Sequence, residues 1–242
     1  MNPLAALVLA TPIFGLSLQA PTVAPLPAMP AAHVANAMPS ATEFALSGST
    51  LHFQTTDSAA SAAAAEEEAY DNALRERNRI ASIHRVLGVS TWASMTVSLV
   101  LGGIQYHNLY GTFGSLEDTP CVRGTAIFGQ GTCTGTPWPH ALTAGLTTGL
   151  YFSTFTLSLF MPDPDNAAEG DNAFARTLRM HKILRWIHFG GMLAQIILGP
   201  IIANAGNRAT DFGTLQTLAT IHMGLGLVTY GALTWAGALM TF

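Results

Sequence analysis

The hydrophobic pattern of the chain places four long apolar stretches between residue 80 and the end. They cover about residues 83–106, 140–161, 179–202 and 215–241. Each holds the roughly 20 apolar residues that a helix needs to cross the hydrocarbon core of a bilayer. Turn-forming residues follow the second and third stretches, at 163–165 and 204–207. The pattern predicts four membrane-spanning helices that run in alternating directions.

The first and third stretches repeat each other. His84 opens one, and His181 opens the other 97 positions later. At the same spacing of 97 positions, the two stretches carry identical residues: Leu87 and Leu184, Met95 and Met192, Leu101 and Leu198, Gly102 and Gly199, and Ile104 and Ile201. The second and fourth stretches also open with a histidine, His140 and His222. We therefore predict an all-α membrane protein, a four-helix transmembrane bundle built from a duplicated two-helix unit.

Residues 1–79 follow a different pattern. Residues 3–18 are apolar but short for a span, and the first basic residue is Arg75. We expect residues 1–37 to be a signal peptide or an uncleaved N-terminal anchor. Residues 38–79 are expected to be a polar tether and a short helix, which starts near Ala65 and runs into the first span. Glutamates at 66–68 and arginines at 75, 77 and 79 suit the two ends of a helix dipole. Residues 80–242 then form the transmembrane domain.

Composition agrees with a membrane location. Charged residues make up 10% of the chain and apolar residues 49%, whereas a soluble domain carries about 25% charged residues. The net charge is −4 and the sequence has no basic cluster. The expected partner is therefore membrane lipid, and nucleic acid is not expected.

The four histidines are the main candidates for chemistry. The starts of spans one and three share one end of the bundle, called face A here, and those of spans two and four share the other, face B. His84 and His181 therefore lie at face A, and His140 and His222 at face B. Neutral imidazole is a good iron ligand, and an ionisable residue inside a membrane marks a functional site. Two pairs predict two b-type haems, each with two axial histidines as metal ligands.

Other polar side chains near face A are candidate cofactor-binding residues. His188 lies seven residues after His181 on the same helix face. It could replace His181 as a ligand or bind a haem propionate. The repeat favours His181, because it aligns with His84, whereas His188 aligns with Thr91. Three basic residues could pair with propionates or an anionic reductant, or could extend to the membrane interface: Arg85, Lys182 and Arg185.

The layout of four helices with His84, His140, His181 and His222 resembles the cytochrome b561 family. The resemblance covers about residues 80–241. It implies two haems held by alternate helices, with His84 paired to His181 and His140 to His222. It also implies electron transfer across a membrane, often from ascorbate or a quinol to an acceptor such as ferric iron. This chain departs from the family in its long first loop with two cysteines, and it lacks the outer helices of eukaryotic members.

Other functions remain open at this point. The chain could be a haem-free membrane scaffold, or a single-haem anchor subunit of a separate redox enzyme. It has no GxGxxG or P-loop motif, so electrons must come from a partner or a small reductant. The donor, the acceptor, the oxidoreductase activity and a homodimer are all left open.

The distribution of charge predicts the orientation. Only Arg123 and Arg208 of the ten basic residues fall at face B, which places face A in the cytoplasm. Cys121 and Cys133 then lie outside, where we expect them to form a disulfide. A cleaved signal peptide would reverse this orientation, whereas an uncleaved anchor would agree with it. The expected location is the bacterial inner membrane, as a multi-pass protein.

Overall fold

The computed structural model describes residues 55–112, 114–129, 133, 138–208 and 211–241. Among these residues all regular structure is helical and no strand occurs. Four long helices are present: α1 (Thr55–Tyr110), α2 (Trp138–Leu159), α3 (Ala173–Asn207) and α4 (Phe212–Leu239). Two short 3-10 turns, Leu116–Asp118 and Ile127–Gly129, lie between α1 and α2. The all-α prediction is confirmed for this part of the chain. The predicted signal peptide or anchor at 1–37 lies outside it.

Local capping sets three of the helix ends. The side chain of Asn172 accepts a hydrogen bond from the Ala175 N–H at 2.8 Å, and Asp211 accepts one from the Thr214 N–H at 3.0 Å. Both are N-cap contacts of the kind that starts a helix. α1 ends at Gly111, whose φ of +61° lies in the left-handed region that glycine adopts freely.

The helix boundaries correct the sequence pattern at two places. α1 starts at Thr55 rather than near Ala65 and continues without a break into the first span, as predicted. The turn predicted at 204–207 is wrong, because α3 runs on to Asn207. Asn and Gly weaken a helix only modestly, and here the chain reverses where the Asp211 cap begins α4. The turn predicted at 163–165 is confirmed, since the chain is non-helical from 160 to 172.

Neighbouring helices run antiparallel, as their side-chain contacts show. Ser94 meets Thr147 and Thr91 meets Thr154 between α1 and α2. Between α1 and α4, Thr96 meets Tyr230 and Tyr106 meets Thr220. Aromatic rings of α2 and α3 stack, with the Phe155 and Phe189 centroids 4.4 Å apart. α1 and α3 therefore lie on one diagonal of the arrangement, and α2 and α4 on the other.

The two hairpins, α1–α2 and α3–α4, make equivalent contacts. His84 Nδ1 lies 3.0 Å from the Thr154 carbonyl oxygen, and His181 Nδ1 lies 2.9 Å from that of Ala236. The two carbonyl residues, Thr154 and Ala236, are 82 positions apart, the same spacing as between His140 and His222. The contact between Ser94 and Thr147 also has an equivalent. Gly191, 97 positions after Ser94, packs against Thr229, 82 positions after Thr147. The repeat seen in the sequence therefore appears again in the helix contacts.

Two of the helices, α1 and α3, are long and apolar enough to cross a membrane. Only 17% and 11% of their most apolar windows are buried within the structure. Large apolar side chains instead point outward along the helices, among them Val86, Val89, Val100, Ile183, Ile187 and Ile197. α2 and α4 fall short of the same hydropathy, because threonine and glycine recur along them.

The connection between α1 and α2 is tied down at face B. Cys121 and Cys133 form a disulfide with their Cα atoms 5.5 Å apart, which confirms the predicted pairing. The buried Asn108 side chain donates to the Ile127 carbonyl and accepts from the Ile127 N–H. This connection therefore packs back onto the end of α1.

Candidate functional site

The structure brings the four histidines together in two pairs. The His84 and His181 ring centroids are 6.5 Å apart, and those of His140 and His222 are 6.3 Å apart. The ring planes are steeply inclined, at 77° and 85°. Each pair joins two diagonally opposed helices, so the rings meet inside the four-helix arrangement.

The spacing of the rings matches a shared metal ion. An imidazole nitrogen binds a metal such as zinc at about 2.0–2.1 Å, so two rings on opposite sides of one ion have centroids roughly 6.3 Å apart. Both pairs lie close to that separation. The same separations also fall within the range of edge-to-face ring pairs, so the hydrogen bonds and polar atoms around the rings bear on which interpretation applies.

Hydrogen bonds fix the tautomer of three of the four rings. His84, His181 and His140 each place Nδ1 within 3.0 Å of a backbone carbonyl, those of Thr154, Ala236 and Ser98 respectively. A carbonyl only accepts, so Nδ1 must carry the hydrogen and Nε2 keeps its lone pair. Metal-binding histidines use this arrangement to orient the ring and raise its basicity.

The unpaired polar atoms of the described residues lie at the same two places. Three buried side-chain nitrogens there have no hydrogen-bond partner: Gln105 Nε2, Arg185 Nε and His222 Nδ1. Gln105 lines a cavity with His140 and His222. Arg185 interacts electrostatically with both rings at face A. Buried polar groups are normally paired, so each pair has a neighbouring side-chain nitrogen that could bind a polar or charged group.

Glycines make space for the face B rings. A Cβ atom on Gly102 would lie 2.9 Å from the His140 ring, and one on Gly199 would lie 3.6 Å from the His222 ring. These glycines are 97 positions apart and align in the repeat. Equivalent helices therefore leave the same gap beside equivalent histidines.

Two cavities flank the face B pair, and His140 and His222 line both. One, of about 580 Å³, lies among α1, α3 and α4, and the other, of about 660 Å³, lies among α1, α2 and α3. Ligand sites commonly have volumes of about 300–1,000 Å³. Space beside both rings suits a flat molecule set between them.

His188 is a member of neither ring pair. Its Nδ1 is 2.7 Å from the Tyr151 hydroxyl, and both side chains are buried. Its partner is thus a tyrosine, whereas His181 faces His84. Sequence analysis missed Tyr151, because one tyrosine in an apolar stretch carries no signal of its partner.

The basic candidates at face A differ in their surroundings. Arg85 is exposed. Lys182 pairs with Asp163 in the α2–α3 connection at 3.4 Å. Asp163 also binds Arg77, at 2.5 Å. Partial burial opposes ionisation of Asp163, but hydrogen bonds from the Ala167 N–H and Arg77 outweigh it, so the pKa of this carboxyl lies below its usual range.

Larger metal-binding clusters do not occur in the described part of the chain, where no group of three or more His, Cys, Asp or Glu side chains converges. A haem with two protein ligands needs only a pair of histidines. No family model, no curated protein and no solved structure matches this chain.

Proposed function

We propose that this chain is a multi-pass protein of the bacterial inner membrane that transfers electrons across the bilayer, as cytochromes b561 do. In this proposal each histidine pair holds one b-type haem. A small reductant or quinol supplies electrons at one face, and an acceptor takes them at the other.

The observation that carries the proposal is the geometry of the two histidine pairs. Their ring separations suit one shared metal ion, and three of the four rings have Nδ1 anchored to a carbonyl. The ring separation recurs at both ends of the arrangement, and each end has at least one ring whose Nδ1 is anchored.

The residues around the pairs also suit haem. The glycines at 102 and 199 and the two cavities supply space for a flat macrocycle at face B. At face A the unpaired Arg185 Nε is a donor for a propionate. When held by the two histidine pairs, haem would carry single electrons. The protein's part is to orient the rings and exclude water.

A bilayer accounts for the outward apolar surface. Soluble proteins rarely expose large contiguous apolar areas, yet valine and isoleucine side chains cover the outer sides of α1 and α3. α2 and α4 pack beside them, and we propose that all four cross the membrane together. Eight of the ten basic residues lie towards face A, which we assign to the cytoplasm.

Haem content tests the proposal. The full-length protein, purified in detergent, should hold two low-spin b-type haems per chain in a pyridine haemochrome assay. Less than one haem per chain would overturn the proposal and favour a haem-free scaffold. One haem per chain would favour an anchor subunit for a separate redox enzyme.

A further inference from the structure

The four histidine rings are not held equally. His84, His140 and His181 each donate from Nδ1 to a carbonyl, whereas His222 Nδ1 is buried without a partner among the described residues. Anchoring of the outer nitrogen orients a ligand ring and strengthens it as a donor. His222 lacks this support, although its ring spacing to His140 matches that of the other pair.

The sequence repeat shows which position lacks the hydrogen bond from Nδ1 to a backbone carbonyl. Ser98 supplies the carbonyl for His140, and the equivalent position 97 residues later is Gln195. Gln195 instead uses its side-chain Nε2 to donate to the His222 backbone carbonyl at 2.9 Å. The backbone at residue 222 is therefore fixed, while its imidazole ring is held only by packing.

The surroundings of His222 also offer a hydrogen-bond donor. The 580 Å³ cavity, part of the space proposed for the macrocycle, lies next to its ring. Gln105 lines that cavity, and its buried Nε2 has no partner in the described structure. An amide donor beside an unanchored ligand suits a small guest that coordinates metal and accepts a hydrogen bond.

We propose that His222 is the exchangeable ligand and that face B binds a small external ligand of haem iron, such as carbon monoxide or cyanide, in its place. Gln105 donates to that ligand from Nε2. The face A pair, with both rings anchored, does not exchange. This inference rests on the proposed function, and it gives the two haem sites different roles: face A only carries electrons, and face B also binds a ligand.

Ligand binding to the full-length protein tests the inference. After reduction, about half of the haem should give a carbon monoxide difference spectrum, since one site of two exchanges. His140→Ala should remove the face B haem, and the remaining haem should not respond. Two low-spin haems that both ignore carbon monoxide and cyanide would overturn the inference and leave the proposed function standing. A response that persists in His140→Ala would also overturn it. Absence of haem would overturn both.

A matched pair of substitutions at Gly199 tests the role of the missing anchor. A Cβ atom fits there at ordinary contact distance from the His222 ring. Gly199→Ser adds a hydroxyl that can accept from Nδ1, and we expect it to weaken cyanide binding about 10-fold or more, the size of effect that outer partners have on metal sites. Gly199→Ala adds the carbon without the acceptor, so its cyanide affinity measures crowding alone, and Gly199→Ser should bind cyanide about 10-fold more weakly than Gly199→Ala. Equal affinities in the two variants would contradict the mechanism.

A substitution of Gln105 tests whether its side-chain N–H donates to the bound ligand. Gln105→Leu keeps the side-chain size but removes the N–H, so cyanide should dissociate faster, while the spectrum of the ligand-free protein stays unchanged. An unchanged dissociation rate would remove Gln105 from the site.

Discussion

At the scale of single residues, the hydrogen-bond partner of each histidine decides which ring nitrogen carries the hydrogen. A carbonyl partner forces the hydrogen onto Nδ1 and leaves Nε2 free to bind a metal, as at His84, His140 and His181. A hydroxyl partner imposes no such choice, which is the case for His188 beside Tyr151. Three histidines therefore keep a free Nε2 lone pair, whereas the partner of His188 does not fix its tautomer.

Under the proposed function, substitution of either histidine of a pair should remove the same haem. His84→Ala and His181→Ala should each lose the same haem, and His140→Ala and His222→Ala the other, because each pair shares one site. Difference spectra and haem content of the purified variants measure this. His107→Ala is the control, since this exposed histidine belongs to neither pair and its Nδ1 lies 3.1 Å from the Thr112 hydroxyl. If His188→Ala loses a haem and His181→Ala keeps both, the ligand assignment at face A is wrong.

The sequence could reveal the histidines but only part of their environment. Their position at the start of each apolar stretch predicts both pairs, because antiparallel helices bring alternate starts to one end. The orphan nitrogen of His222 and the Tyr151 contact depend on side-chain packing between helices distant in sequence. No local pattern encodes such contacts, so they became visible only in the folded chain.

At the scale of elements, α1 is the unusual helix. It has 56 residues, which at a rise of about 1.5 Å per residue makes it roughly 84 Å long, far more than a bilayer core requires. Its first half is fastened to the α2–α3 connection by two polar contacts. Tyr70 donates to Asp165 at 2.5 Å, and Arg77 binds Asp163 at 2.5 Å. Residues 58–69 are exposed.

Loss of the Asp163 contact should free this part of α1. Asp163→Asn removes the charge that holds both Arg77 and Lys182, so limited proteolysis should cut the segment before residue 80 faster. Arg79→Gln is the control, because Arg79 pairs with Glu76 of the same helix and not with Asp163. Equal cleavage of the two variants would show that the Asp163 contact does not fasten the helix.

The same contact should depend on pH. The pKa of Asp163 is lowered in the folded protein, so its stabilising effect is fully present above the ordinary carboxyl value of about 3.9. The effect is lost as the pH falls through that value towards the folded-state pKa. Cleavage of the wild-type segment should therefore rise below about pH 4 and approach that of Asp163→Asn.

Helix positions were predictable from the sequence to different degrees. Long apolar runs predicted α1 to α4, since burial in lipid or protein demands such runs. The start of α1 and the end of α3 were misplaced, because alanine-rich sequence and a few Asn or Gly residues only weakly decide between helix and coil.

At the scale of the whole molecule, the disulfide tests the orientation. Cys121 and Cys133 belong to the face B end, opposite most of the basic residues. In intact cells an impermeant maleimide should label neither cysteine before reduction and both after treatment with an impermeant reductant. Two reactive thiols without reduction would contradict the bridge. Labelling that requires permeabilised cells would place face B in the cytoplasm.

The pairing of diagonal helices has a consequence for how the molecule assembles. Each histidine pair takes one ring from the α1–α2 hairpin and one from the α3–α4 hairpin. Any group that bridges a pair therefore clamps the two halves together, and its binding energy is added to the association of the hairpins. Each half alone carries one ring of each pair, so neither can complete a site by itself. Split at the α2–α3 connection, the two halves should recombine more tightly when such a bridging group is supplied than without it.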